Sequence, residues 1–144
     1  MFRVTRRYRF SASHRLHSFQ LSDEENRAVY GKCNHPFGHG HDYTVEVSVR
    51  GPLQESTGQA VDMAALDRMV GREVLAPFEH RNLNEDVNSF RDVVPTSENL
   101  VVEICRRLKE NWRSVFSGAW PRLEKVRIVE TPRNIFEVEA DEIE

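Results

Sequence analysis

Two segments of this chain alternate apolar and polar residues with a period of two, the pattern of half-buried β-strands. The first segment, residues 2–13, sets aromatic and aliphatic side chains against arginines and a threonine. The second segment, residues 41–50, carries a tyrosine and three valines on one face and mainly polar residues on the other. Each strand therefore has one apolar face that must pack against another layer of structure.

Helical signals follow each of these strands. A capping box formed by Ser22 and Glu25 opens a short helix that runs to about Tyr30. Asp62 caps a second helix with apolar residues at helical spacing, and we expect Pro77 to stop it. The remaining elements are a third helix at about 97–112 and two short strands at 122–131 and 135–140.

The short capped helix lies within a long connection, so the main elements run strand, strand, helix, helix, strand, strand. This order predicts an α+β fold with a four-stranded antiparallel sheet and both main helices packed on one face. At 144 residues the chain has the usual size of one domain, which we expect to span 1–144.

Composition narrows the class of protein. The formal net charge of −3 argues against general nucleic-acid binding. No apolar run has the length of a membrane span, and no apolar stretch follows the N-terminal arginines, so we expect neither a membrane anchor nor a secretory leader. Two cysteines are too few for a disulfide framework, which favours the cytoplasm.

Three histidines occupy the ends of the two long strands. His39 and His41 are two residues apart at the start of the second strand, so their imidazoles point to the same face. His14 ends the first strand, and antiparallel pairing of the two strands would bring it beside the other two. Three neutral imidazoles with an open fourth position form a known type of catalytic zinc site. The alternative is three unrelated polar side chains.

The two cysteines have different surroundings in the sequence. Cys33 precedes His39 by six residues, so it is either a fourth zinc ligand that closes the site or a base or nucleophile beside the metal. Cys105 lies on the apolar face of the third helix, which predicts a buried, inert thiol.

Two further groups are candidates for chemistry. Glu79 and His80 are adjacent in a polar loop, where catalytic side chains are common, although a solvated pair explains them equally. Glu130 has the same strand parity as Val126 and Ile128, so it is either a carboxylate on the apolar face that needs a partner or an exposed residue at the strand end.

Sequence motifs along nearly the whole chain resemble the 6-pyruvoyltetrahydropterin synthase family. The matching segments are F-S-A-S-H-R-L (10–16), L-S-D-E-E-N (21–26), G-K-C-N-H-P-F-G-H-G-H-D-Y (31–43), E-H-R-N-L-N (79–84), P-T-S-E-N (95–99) and V-E-T (129–131). The resemblance implies the tunnelling fold, in which subunits associate so that their sheets form a barrel. It also implies a homo-oligomer, usually a hexamer of two trimers, with active sites at subunit interfaces.

The resemblance also implies roles for individual residues. The zinc ligands would be His14, His39 and His41. The catalytic residues would be Cys33 and His80, with Glu79 beside them. Glu130 would anchor the pterin ring, and the residues lining the pterin pocket would be Thr96, Ser97 and Glu98. Arg15 and Lys32 flank the site in sequence, and we take them as hypothetical triphosphate contacts. The family commonly has Asp where this chain has Glu79, so that carboxylate is shifted by one methylene.

The implied reaction converts 7,8-dihydroneopterin triphosphate to 6-pyruvoyltetrahydropterin, with zinc and without a nicotinamide cofactor. The nearest competing function is that of 6-carboxytetrahydropterin synthase, in which the cysteine usually precedes the H-G-H motif by four residues rather than the six found here. The histidines would also suit a noncatalytic zinc- or pterin-binding relative or a zinc hydrolase, although no H-E-x-x-H helix is present.

Overall fold

The computed structural model describes residues 1–144 and contains five strands, which form one sheet in the order β3-β1-β2-β4-β5. The helices and strands are β1 (Phe2–His14), α1 (Asp23–Tyr30), β2 (His39–Gly51), α2 (Met63–Val70), α3 (Ala76–Phe78), β3 (Arg81–Asn82), α4 (Leu83–Asp86), α5 (Ser97–Val115), β4 (Arg122–Thr131) and β5 (Asn134–Glu139). Short 3₁₀ turns cover Gly31–Asn34, Asn88–Phe90 and Ala140–Glu142, and a π-helical turn covers Gly71–Leu75. The α+β class is therefore confirmed.

The prediction of a four-stranded antiparallel sheet is wrong in one respect, because β3 adds a fifth strand parallel to β1. Its two residues pair with Ala12 and Ser13. Two residues are too few to show an alternating pattern, so the sequence indicates only a polar loop here. The preceding backbone N–H, that of His80, donates to the carbonyl of Ser11 at 2.6 Å and helps to hold the loop against the edge of β1.

One face of the sheet packs against α2 and α5 to form the core, a cluster of 26 buried residues. Val45, Val47 and Val49 supply the β2 contribution and are fully buried, as the alternation predicts. Leu66 of α2 and Leu100 of α5 cover them from the helical layer. Burying such side chains stabilises the fold by about 1.5–3 kcal/mol each, which fixes the strand register on which the site depends.

The second helical segment extends slightly further than expected. The π-helical turn Gly71–Leu75 joins α2 to α3, and the helical run ends at Phe78 rather than at Pro77. Pro77 has no backbone N–H with which to continue the hydrogen-bond ladder of this run, and the helix ends one residue after it. None of the helices combines the length and the apolar character needed to cross a membrane.

Candidate active site

The three histidines singled out from the sequence lie together at one end of the sheet. Pairing of β1 with β2 places His14 directly opposite His39, and His41 follows on the same face of β2. The centroid of the His14 imidazole is 5.0 Å from each of the other two, which are 4.6 Å apart. The Nε2 atoms of His39 and His41 are 2.8 Å apart. Three imidazoles thus converge on one small volume.

His14 is the most enclosed of the three, with 1% of its surface exposed. Its Nδ1 lies 2.9 Å from the carbonyl oxygen of Pro95, whereas its Nε2 is buried with no hydrogen-bond partner. Burial, followed by the neighbouring charge of His41, lowers the pKa of His14 to about 4. The ring is therefore neutral at pH 7 and leaves one nitrogen lone pair free for a ligand.

Cys33 stands beside this cluster in the turn Gly31–Asn34, with its Sγ 3.7 Å from Nε2 of His39. The turn is tied to the end of β1 by two hydrogen bonds. The backbone N–H of Leu16 donates to the carbonyl of Cys33 at 2.8 Å, and the side-chain amide of Asn34 donates to the carbonyl of Leu16 at 2.7 Å. Burial, followed by the charge of Glu130, raises the pKa of the Cys33 thiol, so it is protonated at neutral pH in the metal-free chain.

Glu130 approaches the cluster from β4. It follows Val126 and Ile128 on the face of the strand that meets the core, and its Oε1 lies 3.3 Å from Nε2 of His41. Most of its side chain is covered. The carboxylate therefore faces the imidazoles rather than the solvent, and it meets the need for a partner that its strand position implied.

These side chains offer two sets of ligand atoms that a metal ion can bridge. One set is His14, Cys33 and His39, and the other is His14, His41 and Glu130; within each set all ligand atoms lie within 4.8 Å of one another. Both sets contain His14, whose Nε2 has no other partner. The arrangement is thus suited to a divalent cation held mainly by nitrogen.

Glu79 and His80 form a pair away from Cys33. Glu79 Oε1 is 2.9 Å from His80 Nε2, and its other carboxylate oxygen accepts from the backbone N–H of Ser11 at 3.3 Å. His80 has a positive φ of 56°, and its ring is largely exposed. It lines a groove with His41, whereas Cys33 lines a different groove, and no hydrogen bond joins the two. Within one chain His80 is therefore paired with Glu79 and is not hydrogen-bonded to Cys33.

The three residues predicted to line the pterin pocket lie at the start of α5 and differ in their burial and contacts. Thr96 caps the helix, and its hydroxyl accepts from the backbone N–H of Asn99 at 3.2 Å. The hydroxyl of Ser97 is buried with no hydrogen-bond partner, and Ser97 lines neither of the grooves beside the histidines. Glu98 is exposed and lines none of the grooves around the histidines.

Cations surround the groove that contains Cys33, which has a volume of about 840 Å³. Arg15 and Lys32 both line it, and so does Arg27 of α1. None of the three forms an ion pair with a carboxylate. Arg15 is oriented by its Nε, which donates to the carbonyl of Asn34 at 3.1 Å. The groove is therefore open to an anionic ligand next to the histidine cluster.

Comparison with known proteins identifies the family. The family model described as 6-pyruvoyl tetrahydropterin synthase matches residues 3–141. The chain belongs to this family. It is 46% identical over 132 residues to the 6-pyruvoyl tetrahydrobiopterin synthase of Poecilia reticulata, covering 92% of this chain and 86% of that protein. It is 45% identical over 132 residues to the Homo sapiens protein of the same name, covering 92% of this chain and 87% of that one.

Solved structures agree with this membership. The Caenorhabditis elegans 6-pyruvoyl tetrahydropterin synthase superposes with a TM-score of 0.86 at 42% sequence identity, covering 96% of this chain and 94% of that one. The Plasmodium falciparum 6-pyruvoyl tetrahydropterin synthase superposes with a TM-score of 0.63 at 17% identity, covering 95% and 96% of the two chains, and so shares the fold.

Several neighbours of the site in this pterin synthase family member were missed by sequence reasoning. Arg27 belongs to the capped helix α1, whose charged residues suggest only a solvated face. Tyr43 has a hydroxyl 3.4 Å from His14 Nδ1, and its position two residues after His41 is a signal that could have found it. Pro95 reaches His14 across 81 residues of sequence, for which no local pattern exists.

The buried, neutral state of His14 predicts a pH dependence of stability for the metal-free protein. Because its folded pKa of about 4 lies below the ordinary value of 6.5, folding favours the deprotonated ring. The contribution of neutral His14 to the free energy of unfolding is fully present above about pH 6.5. It is lost as the pH falls towards 4, which lowers the free energy of unfolding by about 3 kcal/mol in total. Urea unfolding across this range measures it.

The variant His14→Asn supplies the comparison, because its amide can donate to the Pro95 carbonyl but does not titrate. Its free energy of unfolding should fall less steeply between pH 6.5 and pH 4 than that of the wild type. The exposed His35 provides a control, and His35→Asn should keep the wild-type slope. Equal slopes for His14→Asn and wild type would contradict the prediction.

Proposed function

We propose that this chain is a zinc-dependent 6-pyruvoyltetrahydropterin synthase, a carbon–oxygen lyase acting on phosphates. It would convert 7,8-dihydroneopterin triphosphate to 6-pyruvoyltetrahydropterin with elimination of triphosphate. The observation that carries the proposal is the convergence of three imidazoles around the unpartnered Nε2 of His14, with Cys33 and Glu130 at their edge. The free thiols of Cys33 and Cys105 are compatible with a reducing cytoplasm, where we place the enzyme.

The proposed zinc ligands are His14, His39 and His41, and the donor set fits the ion. A buried imidazole nitrogen without a partner is costly unless a ligand binds it, and His14 presents one. Its low pKa keeps the ring in the neutral form that metal binding requires. Zinc held there would supply Lewis-acid chemistry, making the hydroxyl and neighbouring C–H protons of the substrate side chain more acidic.

Cys33 is the proposed general base. Its thiol lies at the edge of the cluster, within reach of a substrate side chain that occupies the groove. Burial and Glu130 hold the thiol protonated in the metal-free chain, and positive charge beside it would favour the reactive thiolate. As a thiolate, Cys33 would remove a proton from the side chain. Successive proton transfers would then reduce the pterin ring internally and expel triphosphate.

Glu130 is the proposed anchor for the pterin ring. The edge of a pterin presents an amino group and a ring N–H, and one carboxylate can accept both hydrogen bonds. The covered position of Glu130 beside the imidazoles supports this role. The unpartnered hydroxyl of Ser97 supports a pterin contact at the start of α5, where Thr96 is the helix cap. Glu98, being exposed, would contribute only if another subunit covered it.

Glu79 and His80 are proposed to act from a neighbouring subunit. Within one chain they face a different groove from Cys33, so a second copy would have to bring His80 to the thiol for proton relay. This supports a homo-oligomer, which we propose is the hexamer of two trimers implied by the family. Both outer strands of the sheet have edges that can pair with another chain, since β5 has only β4 as a neighbour and β3 covers only the end of β1.

The cationic groove is the proposed binding site for the triphosphate. Arg15 and Lys32 line the same groove as Cys33, and Arg27 adds a third positive charge. Unpaired cations are suited to a ligand with several negative charges, and guanidinium groups can bind phosphate oxygens in pairs. This arrangement would orient the side chain of the substrate with its triphosphate towards α1 and its pterin towards Glu130.

The variant Glu130→Gln tests the substrate assignment. Replacing the carboxylate by an amide should lower kcat/KM for 7,8-dihydroneopterin triphosphate by about 10- to 100-fold, because a charge-assisted pair of hydrogen bonds is lost. Bound zinc, measured by atomic emission, should remain at the wild-type level. The exposed Glu137 on β5 gives a matched control, and Glu137→Gln should behave as wild type. Loss of zinc from Glu130→Gln would instead make Glu130 a metal ligand.

A further inference from the structure

The hydrogen bond between His14 and Pro95 determines which ring nitrogen of His14 carries the proton. A peptide carbonyl oxygen only accepts hydrogen bonds, so the His14 Nδ1 at 2.9 Å from it must be the protonated nitrogen. Nε2 then carries the lone pair, and it is the ring nitrogen that has no hydrogen-bond partner. The hydroxyl of Tyr43, 3.4 Å from Nδ1, is too distant for a second strong bond, so the Pro95 carbonyl dominates.

The Pro95 carbonyl is held in place by the turn in which it lies. The side-chain amide of Asn99 donates to the carbonyl of Val94 at 2.8 Å, and the backbone N–H of Thr96 donates to the same oxygen at 2.8 Å. Both bonds span Pro95. Asn99 also donates its backbone N–H to the Thr96 hydroxyl at 3.2 Å. Asn99 is therefore hydrogen-bonded to the residue before Pro95 and to the residue after it.

The amide of Asn99 has no role in capping the helix. Thr96 is the N-cap of α5, and Asn99 is the third residue of the helix, where its side chain is free to reach back to Val94. Its side chain is only half-buried, so it adds little to the core. The Asn99 side chain therefore supports the fixed geometry of the turn rather than the formation of the helix.

We propose that Asn99 is a positioning residue for the metal centre, which acts through the Pro95 carbonyl to hold His14 as the Nδ1–H tautomer with Nε2 free. An outer hydrogen bond of this kind orients a ligating imidazole and raises its basicity. The inference deepens the proposed function, because it assumes that His14 binds the metal. It links the start of α5, next to the buried Ser97 hydroxyl, to a ligand at the end of β1.

The variant Asn99→Ala tests the proposal. Loss of a direct outer-shell partner typically weakens metal binding by about 10- to 100-fold. Asn99 acts one step further out, through the Pro95 carbonyl, so we expect the zinc dissociation constant to rise by about tenfold, the lower end of that range, in competition with a chromophoric chelator. Asn88→Ala is the matched control, since Asn88 is exposed in the preceding 3₁₀ turn, and should bind zinc as wild type does. Alanine is a good helix former, so α5 should persist.

Long-range ¹H–¹⁵N spectra of the histidine rings supply a readout that a general loss of stability would not change. In the zinc-free wild type at pH 7, His14 should be the Nδ1–H tautomer; in folded Asn99→Ala, a fraction of the Nε2–H tautomer should appear. Finding wild-type His14 with its proton on Nε2 would overturn the proposal, as would Asn99→Ala with unchanged tautomer and zinc affinity. This measurement needs neither substrate nor turnover, so it separates failure here from failure of the proposed reaction.

Discussion

Replacing Cys33 with alanine should reduce turnover of 7,8-dihydroneopterin triphosphate by about a thousandfold, within the range expected for loss of a positioned general base. The side chain lies at the edge of the histidine cluster, with its Sγ 3.7 Å from His39 Nε2. A methyl group there cannot accept a proton, yet the three imidazoles remain. We therefore expect the variant to keep its zinc and to bind substrate with little change, while the rate of the chemical step collapses.

Zinc content measured on the same sample decides between the two interpretations of this cysteine. Retained zinc with lost turnover would support the catalytic role. Loss of zinc would mean that Cys33 is a ligand, through the set that it forms with His14 and His39, and the open-site assignment would be wrong. Cys105 provides the matched control. It is buried in α5 among core residues, so Cys105→Ala should lose some stability but keep both zinc and turnover.

The second large effect is expected from His39→Ala. Removing one of three imidazoles should weaken zinc binding by at least about 100-fold, more than is typical for loss of an outer-shell partner. Turnover should fall to background at low zinc concentration. His39 lies at the very start of β2, outside the hydrophobic core, so the fold should survive the substitution. Circular dichroism checks this, and zinc titration with a competing chelator gives the affinity.

The exposed His35, four residues earlier, is the control, and His35→Ala should bind zinc as tightly as wild type. If His39→Ala also retained zinc and turnover, the ligands would not be the three histidines. The remaining set of His14, His41 and Glu130 would then be favoured. Glu130→Gln would in that case lose the metal, so the two variants together identify the ligands.

Local sequence patterns predicted the elements whose defining residues are close in sequence or recur with the period of the element. The alternation in β1 and β2 predicted two adjacent strands, and their antiparallel register places His14 opposite His39. The capping box at Ser22 and Glu25 likewise predicted α1, and both of its hydrogen bonds are present. In these cases the side chains that define the structure are close in sequence or follow the period of the element.

Long-range packing accounts for what the sequence did not reveal. Glu46 lies on the mainly polar face of β2, yet it is buried between Arg7 and Arg127, which come from the strands on either side. The two-residue strand β3 forms only because the loop lies along β1. The Pro95 carbonyl reaches His14 in the same non-local way. None of these contacts leaves a periodic signal.

The sequence also could not indicate whether Cys33 and His80 belong to the same groove of one chain. The resemblance assigns both to one catalytic group, but a single chain places them in different grooves. Residue identity and spacing carry no information on which copy of a chain supplies a side chain. The roles of these residues, and zinc ligation by the three histidines, therefore stay predictions that the variants above test.

Product identification by mass spectrometry tests the proposed reaction most directly. Purified, zinc-loaded protein is incubated with 7,8-dihydroneopterin triphosphate, and both the pterin and the phosphate products are identified. We predict 6-pyruvoyltetrahydropterin together with free triphosphate. Formation of 6-carboxytetrahydropterin and acetaldehyde would contradict the proposed product despite the six-residue spacing from Cys33 to His39. Absence of turnover by folded, zinc-bound protein would contradict the enzymatic proposal itself.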